Sequence, residues 1–446
     1  MVIIDPSESK RRVLEKVVRL ALPVVLGNLL YTVESAFSIL LVSGLSASAV
    51  AAVGYSASML WFIYSLMALA YTGTSVLVAQ RTGAKKDPSP ALLWGLVVSF
   101  LIALPLTFWG TDLVSFLMAH FGASQRVVSL AKDYLEPVFW FITVGFATNT
   151  LYAAYNGYGD TKTPFKVALL MNLVNISSAY LLIYGHLGFP RLEVKGAGWG
   201  IALSEIVGLV AYLYLYIKHR KPFAIRLELD LETLKSFLRV GTPTALERAF
   251  TSLSFNIFVG LVAQLGDKAL AAHQIGLRVE SVSFMIGFGM MIASTTIAGQ
   301  NYGAKNYLGL DYGVRVVAHT TALTMGAIAL LLLIFPRPFA LIFTRDEQVL
   351  QYAVYYLVIV ALSQPQMAYA SIFSGALKGM GKTHIPLFVN LSSFWVFRIL
   401  PSMLFLKLFP SPIVPWVFMS LETTIRALIF YLAYRRQIKA LISKVL

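Results

Sequence analysis

A carboxyl group inside an apolar stretch is the feature of this sequence best placed to do chemistry. Glu34 lies among Leu, Val and Ser. On a helix Asn28, Tyr31, Glu34, Ser35 and Ser38 share one face at three- and four-residue steps. Withdrawn from water, a carboxyl group favours its neutral form and can exchange a proton near neutral pH. Ionised, the same group with Asn and Ser oxygens could instead hold Na⁺. Ionisable groups inside a membrane are expensive and mark functional positions by default. The competing reading is a buried Glu neutralised by a neighbour, but no Lys or Arg lies in the middle of the apolar stretches of the first half. Ion coupling at Glu34 is therefore expected.

The second half carries its own polar set: Glu247, Arg248, Arg278, Glu280, Arg398, Glu422 and Arg426. Glu422 and Arg426 are four apart, the spacing of an ion pair on one helix. Arg278 and Glu280 are two apart, face different ways and need partners elsewhere. Glu280 lies about ten residues into its apolar run, or ~15 Å deep at the rise of an α-helix. It could line a substrate cavity with Tyr31, Arg278 and Arg398 and attract a cation, or it could neutralise Arg248 or Arg398 as a structural tie. The near balance of four Arg and three Glu favours the tie.

Enzyme chemistry has no constellation behind it. The chain has no Cys, which excludes disulfides and thiolate metal sites. Its six His show no HExxH or other metal-ligand spacing, so no metal is expected beyond Na⁺ at Glu34 and Asn175. No cofactor is expected. Gly381-Lys382-Thr383 resembles the end of a phosphate-binding loop, but Ala376 stands where that motif needs Gly. A second copy of the same pattern replaces the Lys with Asp160. A tight turn between helices tolerates that exchange and a phosphate cradle does not.

These side chains must be positioned by membrane helices. The 446 residues are 58% hydrophobic and only 13% charged, about half the charge of a soluble domain. Lys10-Arg11-Arg12 precedes an apolar run too long for a signal-peptide core, which reads as a retained first helix. Apolar runs predict twelve spans, near 17–42, 49–79, 91–118, 127–156, 164–186, 197–217, 236–264, 270–299, 312–335, 348–377, 385–408 and 412–434. Both termini and the even-to-odd loops hold 24 of the 36 Lys and Arg, and the opposite loops hold 8. The positive-inside rule then puts both termini in the cytoplasm. The net charge of +15 reflects this topology, and nucleic acid is not an expected partner.

The chain is also duplicated. Gln80-Arg81-Thr82-Gly83-Ala84-Lys85 returns as Gln300-Asn301-Tyr302-Gly303-Ala304-Lys305. Gly157-Tyr158-Gly159-Asp160-Thr161-Lys162-Thr163-Pro164 returns as Gly379-Met380-Gly381-Lys382-Thr383-His384-Ile385-Pro386. Arg19 to Pro23 and Ala49 to Ala52 return at the same offset. An even number of spans per half makes the repeats parallel. The expected organisation is a six-helix bundle over 1–217, a cytoplasmic linker over 218–239 and a second bundle over 240–446. Leu231, Leu234, Phe237 and Leu238 among charges suggest a short amphipathic helix in the linker.

Twelve spans in two parallel halves, GxGxTxxP after the fourth and tenth and QxxGA after the second and eighth resemble the multidrug and toxic compound extrusion (MATE) family over essentially the whole chain. Pro23, Asn28, Glu34 and the stretch Ala49 to Gly54 fit that family's first spans, and Asn390, Arg398 and Pro401 its eleventh. The resemblance implies an all-α membrane protein with a cavity between two bundles. It implies a monomer in the plasma membrane that exports organic, often cationic, compounds in exchange for Na⁺ or H⁺. A related group of lipid-linked oligosaccharide flippases supplies the alternative. The family has an acidic residue at the position of Glu34, and in the fifth span an Asn followed four residues later by Asp or Asn. Asn175 matches, but the second position is Ala179. Glu205 in the sixth span is expected to replace that partner, with Asn149 and Asn172 as further amide oxygens. Fewer carboxylates favour H⁺ over Na⁺.

Overall fold

The computed structural model describes residues 1–219, 222–224, 226 and 228–445. Arg220 and Lys221 of the basic run in the expected linker lie outside the described residues, as do Ile225, Leu227 and Leu446. The described residues form helices and no strand. In chain order these are α1 (Lys10–Ser43), α2 (Ala47–Gly83), α3 (Ser89–His120), α4 (Gln125–Trp140), α5 (Ile142–Tyr158), α6 (Lys162–Tyr184), α7 (Val194–His219) and α8 (Leu231–Ala263). They continue as α9 (Asp267–Gly303), α10 (Tyr307–Ile334), α11 (Pro336–Leu341), α12 (Glu347–Ala361), α13 (Gln364–Gly379), α14 (His384–Phe394), α15 (Leu400–Leu406) and α16 (Ile413–Ile442). A π turn, Trp395–Ile399, joins α14 to α15.

Ten helical stretches are long and apolar enough to cross a membrane alone, with α14 to α15 counted as one. Two further expected spans are broken. The tenth bends by 52° between α12 and α13. Pro365 causes this break: its ring meets the carbonyl four residues back, at Ala361 where α12 stops. The fourth is interrupted at Phe141, four residues after Pro137. The expected amphipathic linker helix is not separate. Nothing between Leu231 and Arg239 breaks a helix, and the stretch runs into α8 with Phe237 fully buried.

Outward faces are apolar. Phe108, Leu323 and Leu404 are 68%, 76% and 62% exposed, an arrangement that lipid favours and water does not. Helix starts are fixed by polar side chains that satisfy free backbone N–H groups. Ser124 accepts from Val127 N, Asn306 from Gly309 N, and Asp346 from Gln348 N and Val349 N.

The described residues pack as two compact units, Met1–Val25 with Ala79–Lys85 and Leu246–Leu446, and Leu26–Val78 with Lys86–Ala245. Helices α1, α2 and α8 each contribute to both. In the first unit Phe373, Phe430 and Tyr434 fill one core, and Phe258, Tyr356 and Trp416 another. In the second, Leu135, Phe139, Phe146 and Ile183 are buried together.

The repeated motifs are the hardware of a helix crossing. A Cβ on Gly83 would lie 1.8 Å from the Gln300 carbonyl oxygen, and one on Gly303 would lie 1.9 Å from that of Gln80. Only glycine permits this reciprocal approach of α2 and α9. The Gln80 side chain closes the arrangement by donating to the Gly379 carbonyl at 2.9 Å. Gly159 and Gly381 occupy equivalent left-handed positions with φ of 95° and 78°, which explains the second motif as a turn.

Candidate functional site

The second unit holds the predicted site. Asn175 of α6 donates from Nδ2 to Glu34 Oε1 of α1. Asn175 is buried and Glu34 half-buried. Tyr31, one turn before Glu34, is 51% exposed. Among the described residues no ion pair includes Glu34.

The packing of α6 on α7 explains the unusual Ala179. A Cβ on Gly200 would come within 2.8 Å of both the Ala179 Cβ and Asn175 Oδ1. A carboxylate or amide at position 179 would strike α7 at this point. Glu205, five residues beyond Gly200, lies beside Thr148 of α5 and within electrostatic reach of Glu34. Gly145 leaves room for it, since a Cβ there would sit 3.4 Å from Glu205 Cδ. Glu34, Asn175 and Glu205 are thus gathered from α1, α6 and α7. Asn172 is buried, and its amide donates to the Ala168 carbonyl at 2.7 Å on its own helix. Asn149 of α5 is half-buried next to Thr148, and the Asn28 carbonyl accepts from the Thr32 hydroxyl at 3.2 Å.

The polar residues of the first unit are organised differently. Arg398, presented by the π turn, binds Glu422 at 2.5 Å and packs 4.2 Å from the Phe394 ring centroid. Arg426 adds an ion pair to Glu422 at 3.3 Å, as the four-residue spacing predicts. Asn390 links this pair to a second one: its Oδ1 accepts from Arg426 at 3.4 Å, and its Nδ2 donates to Glu247 at 2.6 Å. Lys378 completes the network with Glu247 at 3.0 Å. Glu280 accepts from Tyr356 Oη at 2.8 Å and from Gln364 Nε2 at 3.1 Å. Glu280 is held by two neutral donors and lies within electrostatic reach of Arg398, whose direct ion pair is with Glu422. Arg278 is exposed, and the Arg248 guanidinium lies 5.7 Å from the Phe288 ring centroid.

Sequence reasoning missed Lys378, Tyr356 and Gln364. Lys378 was counted among the basic loop residues, yet it is buried at the end of α13. Its place one residue before Gly379 was the available signal, since in the first copy that position is Asn156. Among the described residues no group of three or more His, Cys, Asp or Glu could hold a metal ion.

A family model described as MatE matches residues 23–181 and 243–404, once in each half of the duplication. A relative named probable multidrug resistance protein NorM from Thermotoga maritima is 29% identical over 98% of this chain and 96% of its own. Probable multidrug resistance protein YoeA of Bacillus subtilis is 25% identical over 88% and 87%. Among solved structures, MATE in the bent conformation superposes with a TM-score of 0.90 at 21% identity, covering 98% of this chain and 99% of that one. An outward-facing multidrug resistance MATE family transporter of the MOP superfamily gives 0.90 at 22% identity, covering 96% of each. The likeness to these structures supports twelve membrane helices, with α4–α5 and α12–α13 each counting as one broken span.

Proposed function

The chain belongs to the MatE family, and on that premise we propose that it is a secondary active transporter that exports organic, often cationic, compounds in exchange for a cation bound at Glu34. The observation that carries this reading is the Asn175 amide on the Glu34 carboxyl group, inside a membrane helix and outside every ion pair among the described residues. A carboxyl held by a neutral donor can change charge without breaking an ion pair, so its occupancy can follow a cation gradient.

H⁺ fits this site better than Na⁺. A sodium ion needs several oxygen ligands, as hard cations do, and Ala179 supplies none where a second acidic or amide side chain would stand. Proton exchange needs only the carboxyl and a neighbour whose charge responds, and Glu205 is that neighbour. In the proposed cycle protonation at Glu34 changes the packing of α1 on α6, lowers substrate affinity on the outer side and releases the compound. The protein acts as a monomer in the plasma membrane, with both termini cytoplasmic as the Lys and Arg distribution requires.

The flippase alternative needs free cations for a pyrophosphate. Arg398, Arg426 and Lys378 are instead committed to Glu247 and Glu422, which favours efflux. The test is reconstituted transport of a fluorescent organic cation with pH and Na⁺ gradients imposed separately. Transport driven by the pH gradient and lost in Glu34→Gln supports the reading. Transport unchanged in Glu34→Gln under both gradients rejects it.

A further inference from the structure

Residues 1 to 9 precede α1, yet they are not loose. Ile4 is fully buried in the same core cluster as Ile297, Leu310, Val314 and Leu377. The backbone around it is read by side chains. Val2 N donates to Gln300 Oε1 at 2.5 Å, and Ile4 N donates to Asn301 Oδ1 at 3.0 Å. Asn301 Nδ2 returns a bond to the Val2 carbonyl at 3.0 Å, and Asn306 Nδ2 donates to the Ile4 carbonyl at 2.7 Å. From α1 itself, Lys16 Nζ reaches the Ile3 carbonyl at 3.1 Å and Glu8 at 2.5 Å. The seat is cut to fit: a Cβ on Gly309 would lie 2.1 Å from the Ile4 carbonyl oxygen.

The duplication supplies a control. At offset 220, Ile4 corresponds to Ala224 and Gly309 to Ser89. Ala224 N donates to Ser89 Oγ at 2.8 Å, and the neighbouring Phe223 is buried with its ring 5.5 Å from that of Tyr155. Each half is thus preceded by a short segment seated at the start of the other half's third helix. The segment around Ala224 lies in the chain between α7 and α8. The N-terminal one is held by side-chain hydrogen bonds to its backbone and by the buried Ile4.

We infer that Val2–Ile4 is a releasable strap, seated in one state of the transport cycle and unseated in the other. This rests on the transporter reading above. Helix α1 is the mechanical reason. It is one unbroken helix from Lys10 to Ser43, but it packs with one compact unit through Val25 and with the other from Leu26 onward. Lys16 ties its first turns to the strap, and Glu34 ties its far half to Asn175. Any displacement of one unit against the other pulls on this helix at both ends. The strap is the end proposed to yield: it is held by side-chain hydrogen bonds and by the packing of one side chain, Ile4.

The absence of Cys makes the test direct. The ideal Cβ of Gly313 lies 3.8 Å from the Ile4 Cβ, inside the range of roughly 3.5–4.5 Å for disulfides. In the pair Ile4→Cys with Gly313→Cys, oxidation is expected to reduce transport in proteoliposomes to the level of empty vesicles, and reductant to restore it. In the single variant Ile4→Cys, labelling by a water-soluble maleimide, with the labelled side held at one pH so that thiol ionisation is constant, is expected to be slow at rest and faster under an imposed pH gradient. If the oxidised pair transports as fast as the reduced pair, the strap does not leave its seat and the inference is overturned. If the unaltered protein moves no tested cation under any gradient, the efflux reading fails instead. Labelling then decides the strap: acceleration under the gradient supports release, and an unchanged rate overturns it.

Discussion

Two clusters of intramembrane carboxyl groups are built on opposite principles. In the second unit Glu34 meets an amide from Asn175, and Glu205 stands near it with no ion pair among the described residues. In the first unit Glu247 and Glu422 are bound by Lys378, Arg398 and Arg426, with Asn390 bridging the two pairs. A carboxyl among neutral donors can gain or lose a proton while its surroundings stay intact. A carboxylate between cations cannot, because neutralising it strands their charges. On the proposed reading the cluster around Glu34 exchanges a proton and the cluster around Glu422 is architecture. Glu280 shows that position in the chain does not decide the matter, since it lies in the second half yet its hydrogen bonds come from the neutral donors Tyr356 and Gln364.

The largest expected effect tests the architectural side. Glu422→Gln leaves Arg398 and Arg426 buried without their counterion and is expected to destabilise the protein by about 3–5 kcal/mol. Thermal unfolding in detergent measures this. Replacing Glu422, Arg398 and Arg426 together by apolar residues should return most of the loss, because no uncompensated charge then remains. Unchanged unfolding in Glu422→Gln with loss of transport would invert the comparison and make Glu422 the exchanging group.

Glu34→Gln should do the reverse. The substitution keeps the shape of the side chain and a polar partner for Asn175, so the unfolding temperature should stay within a degree or two. Gradient-driven export should fall by ~100-fold, the upper end of typical coupling between two sites. Binding of the fluorescent cation in the absence of a gradient should persist, which separates lost coupling from lost folding.

Much of this architecture was legible in the sequence. Hydropathy located the apolar helices, and the offset of 220 marked Gly83 and Gly303 as counterparts, while their crossing is seen only in the structure. Glu34 and the pair Glu422–Arg426 followed from burial cost and helical spacing, and Asn175 from the family resemblance. What stayed hidden depends on contacts between helices distant in sequence. Lys378 reads as one more basic loop residue until the fold brings Glu247 of α8 to the end of α13. Ala179 reads as a missing ligand, and only the approach of Gly200 shows it as a steric requirement. The seating of Ile4 could not be read at all, because a short apolar tail carries no periodicity.

A smaller effect is expected at the amide. Asn175→Ala removes the donor to Glu34 without altering charge, and loss of a single hydrogen bond is worth about 1 kcal/mol. Export should slow by ~5-fold at that magnitude and keep its dependence on the pH gradient. Asn172→Ala, whose amide serves only its own helix, should change export less than Asn175→Ala does. Equal effects would show that helix packing, rather than contact with Glu34, sets the rate.

The smallest effect separates the membrane carboxyls from those beside the strap. Asp5 is held below its ordinary pKa of 3.8, chiefly by hydrogen bonds from Ser7. Glu8 is held below its ordinary 4.5, chiefly by Lys16. A depressed carboxyl adds stability at every pH above its ordinary value and loses it only as pH falls through the lowered one. Both groups therefore stay ionised throughout the range from pH 5 to 8, and seating of the strap should not vary across it through these residues. Any change in maleimide labelling of Ile4→Cys between pH 8 and pH 5, without substrate or gradient and taken relative to the unfolded protein at each pH so that the thiol's own ionisation cancels, must then originate in other groups, and Glu34 in the far half of α1 is the membrane carboxyl to test. In the double variant Ile4→Cys, Glu34→Gln that change should vanish. In Ile4→Cys, Glu8→Gln it should persist, with a uniformly faster rate from loss of the Lys16 contact. Loss of the pH response in the Glu8 variant, and not in the Glu34 variant, would move the proton sensor out of the membrane and into the N-terminal segment.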